Sequence, residues 1–355
     1  MAETPRRLID DLLALARIPA PTFDEGDRAD WIGERLAAAP GTRTRDAAGN
    51  VLWSWGEGRP ELLVCAHLDT VFGRDTPHEI REHGDLIEGP GCGDNAAAVA
   101  VAISAVEELL AGPLTPRAGA VAFTVAEEGL GNLAGAYAAC RALAPHRVLA
   151  LEGHGVHRIA IDCVGSVRAR IRVTGQGGHS WAHRTRPSAI DELLRVGLSL
   201  KAVEPPGAPD SSVNIGTISG GRSVNAIADS AELVIERRAL DETPLELFAA
   251  LLCGLTVEPP LELEVELLGR RPAGRGDRSD RLVVVAREVR REMGLSNEDV
   301  AGSTDANAAM ALGIPAICLG CAEGADMHTT RERIEIPSLG LGREQVVRVL
   351  RALLT

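Results

Sequence analysis

From residue 61 to residue 151, short apolar runs alternate with helix-length segments rich in small residues, and this alternation constrains the fold more than any other feature. "ELLVCA" (61–66), "GAVAFTV" (119–125) and "RVLAL" (147–151) have the length and apolar content of buried strands. Between them, "NAAAVAVAISAVEELLAG" (95–112) and "LAGAYAACRAL" (133–143) read as helices, the first with Asp94 as its N-cap. Strands buried on both faces and joined by helices pair in parallel. The region therefore predicts an α/β domain with a mostly parallel sheet and helices on both faces.

Near residue 164 the pattern changes. "SVRARIRVTG" (166–175) alternates polar and apolar with period two, as a strand with one solvated face does. A helix over 187–203, strands over 211–221 and 231–240, a helix over 244–255 and a strand over 261–269 follow. The order β-α-β-β-α-β predicts an inserted ferredoxin-like domain, residues 164–272. "RRPAGRGDRSD" (270–280) reads as the linker back. Helix and strand patterns then resume through "IPAICLG" to a final helix, "GREQVVRVLRALL", so residues 1–163 and 273–355 form one discontinuous domain. A cleft between two domains is the expected place for a ligand.

Composition removes several classes of function. The 355 residues carry 37 Lys plus Arg against 50 Asp plus Glu, a formal charge of −13. Such a surface repels phosphate backbones, and 3% aromatic content leaves few rings to stack on bases, so nucleic acid is not the expected partner. The longest apolar stretch, 96–106, is too short to span a bilayer and runs into Glu107 and Glu108. The N-terminal segment reads as a charged amphipathic helix rather than a signal peptide. Seven cysteines, an odd number set mostly in apolar segments, suit a reducing cytoplasm. Cys318 and Cys321 have redox spacing, but the expected reading is a buried strand cysteine followed by a loop cysteine.

In an open α/β sheet, ligands bind beyond the carboxyl ends of the strands. There the sequence places His67 and Asp69 after the first run, Glu127 and Glu128 after the second, and Glu152 after the third. The loop after "IPAICLG" reaches His328, and the glycine-rich "GPGCGDN" supplies Asp94. Any one of these alone reads as a solvated loop residue. Together, several carboxylates at one edge would repel one another unless something positive sat among them. Imidazole with carboxylate suits zinc or a similar divalent ion, and a set this large suits two metals bridged by a carboxylate.

The segments "HLDTV", "GCGDNAAA", "AEEGLG", "LEGHG", "GQGGHSW" and "MHTTRERIEI" resemble, in order and over nearly the whole chain, the co-catalytic zinc peptidase family. That family includes tripeptide aminopeptidase, acetylornithine deacetylase, succinyl-diaminopimelate desuccinylase and glutamate carboxypeptidase. The resemblance implies that His67 and Glu152 hold one metal, Glu128 and His328 the other, and that Asp94 bridges them. It implies that Asp69 fixes the His67 ring and that Glu127 is the general base. Neighbours on an extended segment point opposite ways, so one of Glu127 and Glu128 can face the metals and the other the water. His179 would reach a partner subunit's site and stabilise an oxyanion, which implies a homodimer formed through an inserted lid and dimerisation domain. Asn225 and Arg238 resemble the family's substrate-binding pair; Arg237 is adjacent to Arg238, and strand phase alone does not decide between them.

Two departures stand out. Asn95 follows the bridging aspartate where many relatives carry an acidic residue. By the same resemblance, Glu at position 152 is commoner among deacylases and carboxypeptidases and Asp among aminopeptidases and dipeptidases, whereas "AEEGLGNLAGA" looks like the aminopeptidase branch. His154 and His157 either line the cleft or sit in a solvated loop. The expected function is a cytoplasmic hydrolase that cleaves a peptide or N-acyl amide bond of a small substrate with two divalent ions, zinc first, cobalt or manganese also fitting. A non-catalytic, metal-free relative acting through dimerisation or binding would have lost a ligand or Glu127, and none is lost. A two-metal phosphoesterase would need basic groups, for which Arg184 and Arg186 are the available residues.

Overall fold

The structure is a computed structural model, and it describes residues 4–204 and 210–355. The chain divides into two compact units, Met1–Cys163 with Arg275–Thr355, and Val164–Gly274.

The first unit is built on an eight-stranded sheet. Its order is Thr42–Arg45, Val51–Trp55, Gly119–Thr124, Leu62–His67, Val148–His154, Ala316–Ala322, Arg158–Cys163, Glu298–Gly302. The four strands from Gly119–Thr124 to Ala316–Ala322 run parallel. Period-two alternation loads both faces of this sheet. Leu62, Val64 and Ala66 pack into one core, and Leu63 and Cys65 into another. Helices Arg6–Ala16, Ala98–Ala111, Arg281–Glu292 and Ile336–Leu354 cover the first face, while Ala134–Leu143 and Ala306–Ala311 cover the second. Leu8, Leu12 and Leu15 form the buried stripe of the first helix. Each such side chain contributes about 1.5–3 kcal/mol of burial before conformational entropy is subtracted.

Several boundaries differ from the expectations, each for a local reason. Asp94 is not an N-cap. It lies in a wide turn, Cys92–Ala97, and the regular helix begins only at Ala98. The strand expected to end at residue 151 continues through Glu152 to His154, because the neighbouring strand extends alongside it. Cys321 is in the strand, not in a loop. Cys318 and Cys321 are three residues apart on that strand, so they face opposite cores; both are free thiols and do not form a redox pair. The structure adds the edge strands Thr42–Arg45 and Glu298–Gly302, which are short, polar and weakly periodic, and the interior strands Val51–Trp55 and Arg158–Cys163, which are only five and six residues long. A small antiparallel sheet joins Gly324–Ala325, Arg333–Glu335, Leu86–Glu88 and Arg81–His83, and brings residue 332 beside residue 89.

The second unit carries a four-stranded antiparallel sheet, in the order Ser211–Gly220, Ser230–Ala239, Gly165–Thr174, Glu262–Arg271. Helices Ala189–Ala202 and Glu242–Cys253 cover one face, where Val167, Ala169, Ile171 and Val173 meet Leu193 and Phe248. The other face is laced with cross-strand ion pairs, including Arg170–Glu266 at 2.6 Å and Arg172–Glu232 at 2.7 Å. Strand phase separates the two arginines. Arg237 is buried, donates to the Val203 carbonyl and stacks over Phe248, whereas Arg238 lies on the open face beside Glu236.

Candidate metal centre

Parallel strands present their carboxyl ends at one edge, and the titratable residues collect there. His67 ends the strand Leu62–His67, and Asp69 follows one apolar residue later. Glu127 and Glu128 follow the strand Gly119–Thr124, Glu152 lies near the end of Val148–His154, and His328 is held on a loop at φ 63°.

Asp94 stands between the two imidazoles. Its Oδ1 is 3.0 Å from His67 Nε2, and its Oδ2 is 3.0 Å from His328 Nε2. Each imidazole nitrogen has a second carboxylate beside it: Glu152 at 3.6 Å from His67, and Glu128 at 3.2 Å from His328. Ligand atoms of His67, Asp94 and Glu128 all lie within 4.8 Å of one another. Two ligand atoms on one tetrahedral zinc sit about 3.3 Å apart, given bond lengths of about 2.0–2.2 Å to N and O. The observed spacings bracket that value. Asp94 Oδ1 is moreover buried and accepts no hydrogen bond, despite the nearby His67 ring. A carboxylate oxygen and an imidazole nitrogen that approach without bonding each other fit a shared cation, so the residues suit a divalent ion.

Asp69 organises the approach. The Nδ1 of His67 is 3.1 Å from the Asp69 carbonyl oxygen and 3.4 Å from its carboxylate. The carboxylate also accepts N–H bonds from Glu127 at 3.0 Å and Glu128 at 2.8 Å, and the Thr22 hydroxyl at 2.9 Å. Ala126 takes φ 54°, the chain leaves the strand, and two consecutive amides converge on one carboxylate.

The electrostatics follow from burial set against partners. Burial alone would lower the His67 pKa, but Asp69, Asp94 and Glu152 outweigh it and hold the ring well above its usual value. Asp94 and Glu128 raise His328 to about 10. Burial opposes ionisation of Asp94, yet the two imidazoles pull its carboxyl far below the ordinary range. Burial pushes Glu152 up to about 7 against the pull of His67.

The remaining expected site residues lie in the second unit and fall into two places. His179 and Asn225 are neighbours: Gly178–His179 pairs with Ala226–Ile227, and Ser180 N–H donates to the Asn225 carbonyl at 3.0 Å. Both adjoin the Ser230 end of the strand Ser230–Ala239, whereas Arg238 stands near its other end, about 26 Å along the strand. Within this unit Arg238 is not part of the His179–Asn225 cluster.

Three further charged residues, Glu332, Glu25 and Arg28, are buried without standing at the carboxyl end of a strand. Glu332, fully buried, accepts the Asp94 N–H at 2.9 Å and faces His154 Nε2 at 2.6 Å. Its signal was its place in "MHTTRERIEI", four residues after His328. His154 is thus a strand residue paired to Glu332, neither a free cleft residue nor a solvated loop, while His157 is exposed. Glu25 is buried and accepts the Phe23 and Ala126 N–H groups, both at 2.9 Å. Arg28 is buried and donates to the carbonyls of Ile18 and Leu68.

The fold and site define a class: an α/β protein with imidazoles and carboxylates gathered at the carboxyl edge of a mostly parallel sheet. Residues 63–352 match the model of Peptidase family M20/M25/M40, and the chain belongs to that family. It is similar to a probable carboxypeptidase of Aspergillus clavatus, 30% identical over 65% of this chain and 62% of that protein. The chain thus aligns with under two thirds of that relative. An acetylornithine deacetylase of Proteus mirabilis is 28% identical over 89% of this chain and 86% of its own length. Among solved structures, a tripeptidase from Staphylococcus aureus superposes with TM-score 0.83 at 22% identity, covering 99% of each chain. Aminopeptidase PepT from Bacillus cereus superposes with TM-score 0.79 at 21% identity, covering 98% of each. No helix among the described residues is long and apolar enough to cross a membrane.

Proposed function

We propose that this chain is a two-metal hydrolase of peptide or N-acyl amide bonds in small substrates. The observation that carries the reading is Asp94, whose two oxygens each lie 3.0 Å from a different imidazole, each imidazole with its own glutamate. His67 and Glu152 would hold one ion, His328 and Glu128 the other, and Asp94 both. Zinc suits these ligands, and cobalt or manganese could replace it. Bound there, such ions polarise a carbonyl and bring the pKa of a water to about 7.

The protein's own groups account for the rest. Asp69, beside Nδ1, keeps Nε2 of His67 directed at the shared site. Glu127, buried and held by its own amide on Asp69, takes the proton of the attacking water and passes it to the leaving nitrogen. His179 Nδ1 accepts the N–H groups of Trp181 and Ala182, which leaves Nε2–H of the neutral ring as a donor for a developing oxyanion. We assign that donor, with Asn225, to the site of a partner subunit, so the active form would be a homodimer. Arg238 is the remaining candidate for a substrate carboxylate.

The test is Glu127→Gln on metal-reconstituted protein, assayed with tripeptides, N-acyl amino acids and phosphate esters. Metal content is expected to persist while amide hydrolysis falls roughly 10²–10⁴-fold. Turnover within tenfold of the unmodified protein would remove Glu127 from its role, and preference for phosphate esters would overturn the amide reading.

A further inference from the structure

Glu332 is more than a packing residue. It is fully buried, and carboxylates are rarely buried without a specific set of partners. One oxygen, Oε1, receives the Asp94 N–H at 2.9 Å and faces His154 Nε2 at 2.6 Å. Its backbone carbonyl accepts the Gly89 N–H at 2.8 Å. Its own N–H donates to the Thr329 carbonyl at 3.1 Å, closing the turn that follows His328. One residue therefore clasps both ends of the 89–94 loop and fastens that loop to the segment bearing His328.

The surrounding chain is shaped around this clasp. A Cβ on Gly93 would lie 2.3 Å from His154 Nε2 and 2.7 Å from Glu332 Oε1. Gly93 is glycine because the pair fills that space. Asp94 itself has φ −98° and ψ 92°, off the helical geometry of the turn around it. With its amide drawn to Glu332, the Asp94 side chain is left facing the two imidazoles.

We infer that Glu332 is a positioning residue that sets the shared carboxylate of Asp94 against His328, through the Asp94 amide and with His154 as its own brace. The inference rests on the two-metal reading for its consequence, but the clasp is measurable without metal. In metal-free protein, Glu332→Ala should speed hydrogen exchange of peptides covering residues 89–97 at least tenfold relative to the unmodified chain. In zinc titrations the second equivalent should bind E332A at least tenfold more weakly, the range expected when a ligand loses its outer support. E332Q keeps an oxygen for the Asp94 N–H and should restore affinity to within about threefold, which a loss of fold would not allow. If E332A does not fold, His154→Ala tests the same clasp by removing the brace. It should weaken the second equivalent several-fold, and affinity equal to the unmodified chain would overturn the assignment. Unchanged exchange over 89–97 together with two unweakened equivalents in folded E332A would also overturn it. An unmodified chain that takes up no metal would instead sink the two-metal reading, and the exchange result would still decide the clasp.

Discussion

The two halves of the candidate centre are built in opposite ways. His67 ends a strand whose six residues are all buried, and it is itself only 2% exposed. His328 sits on a loop in a left-handed conformation with 47% of its side chain exposed. Asp94 touches both. A side chain on a core strand is positioned by packing that would exist without a site. A side chain on a loop must be tied in place, and His328 is tied by Glu128, Asp94 and the turn closed by Glu332.

The largest expected effect removes what the halves share. Asp94→Ala should lose both equivalents of zinc and all measurable hydrolysis; elemental analysis that still finds two ions would show the carboxylate is not shared. Next, His67→Ala and His328→Ala should differ in stability. Loss of His67 leaves Asp69 and Asp94 buried without that imidazole and should cost about 3–5 kcal/mol in metal-free urea denaturation. Loss of His328 also takes an imidazole from Asp94, but its half-exposed loop lets solvent screen the change, so it should cost less than loss of His67. Equal losses would erase the distinction.

A glycine pair sharpens the same point. A Cβ on Gly153, beside Glu152, would fall 1.7 Å from the Gly93 carbonyl oxygen, so Gly153→Ala should cost about 3 kcal/mol and lower the melting temperature. A Cβ on Gly129, beside Glu128, meets nothing within 4 Å; its φ of 51° leaves only a left-handed penalty of about 1 kcal/mol. The smallest effect lies outside both halves. Arg278 donates to Asp162 at 2.8 Å and holds its carboxyl below the usual range. This contribution is present above the ordinary carboxylate pKa and is lost as pH falls through the depressed one. Arg278→Ala should cost no more than about 1 kcal/mol at pH 7, and nothing in strong acid. A difference that grows on acidification would reverse the sign.

The strand-borne part of the site was legible because it is a pattern. His67 and Asp69 interrupt an apolar run, and Glu127, Glu128 and Glu152 do the same near the ends of their strands, where a buried sheet does not otherwise carry charge. The residues that hold the pieces together carry no such mark. Glu332, Glu25 and Arg28 look like ordinary charged residues until their burial is known. Asp94 resembles a helix cap because the small-residue helix does begin nearby, and only the intervening turn shows that its side chain belongs elsewhere. The same limit applied to Arg237 and Arg238, whose phase was settled by which face the helices cover.

By itself, the sequence determined the α/β alternation, the change to period-two strands near residue 164 and the set of imidazoles and carboxylates available at the sheet edge. These are local properties: period, chain length and residue type act over a few neighbours. The tertiary structure alone decided which oxygen meets which nitrogen. Residues 94, 128 and 328 converge only after the sheet has formed, and the buried Glu332 becomes a clasp only when residue 89 is brought beside residue 332. Hydrogen-bond distances of about 3 Å depend on the summed packing of distant segments, which no local pattern encodes.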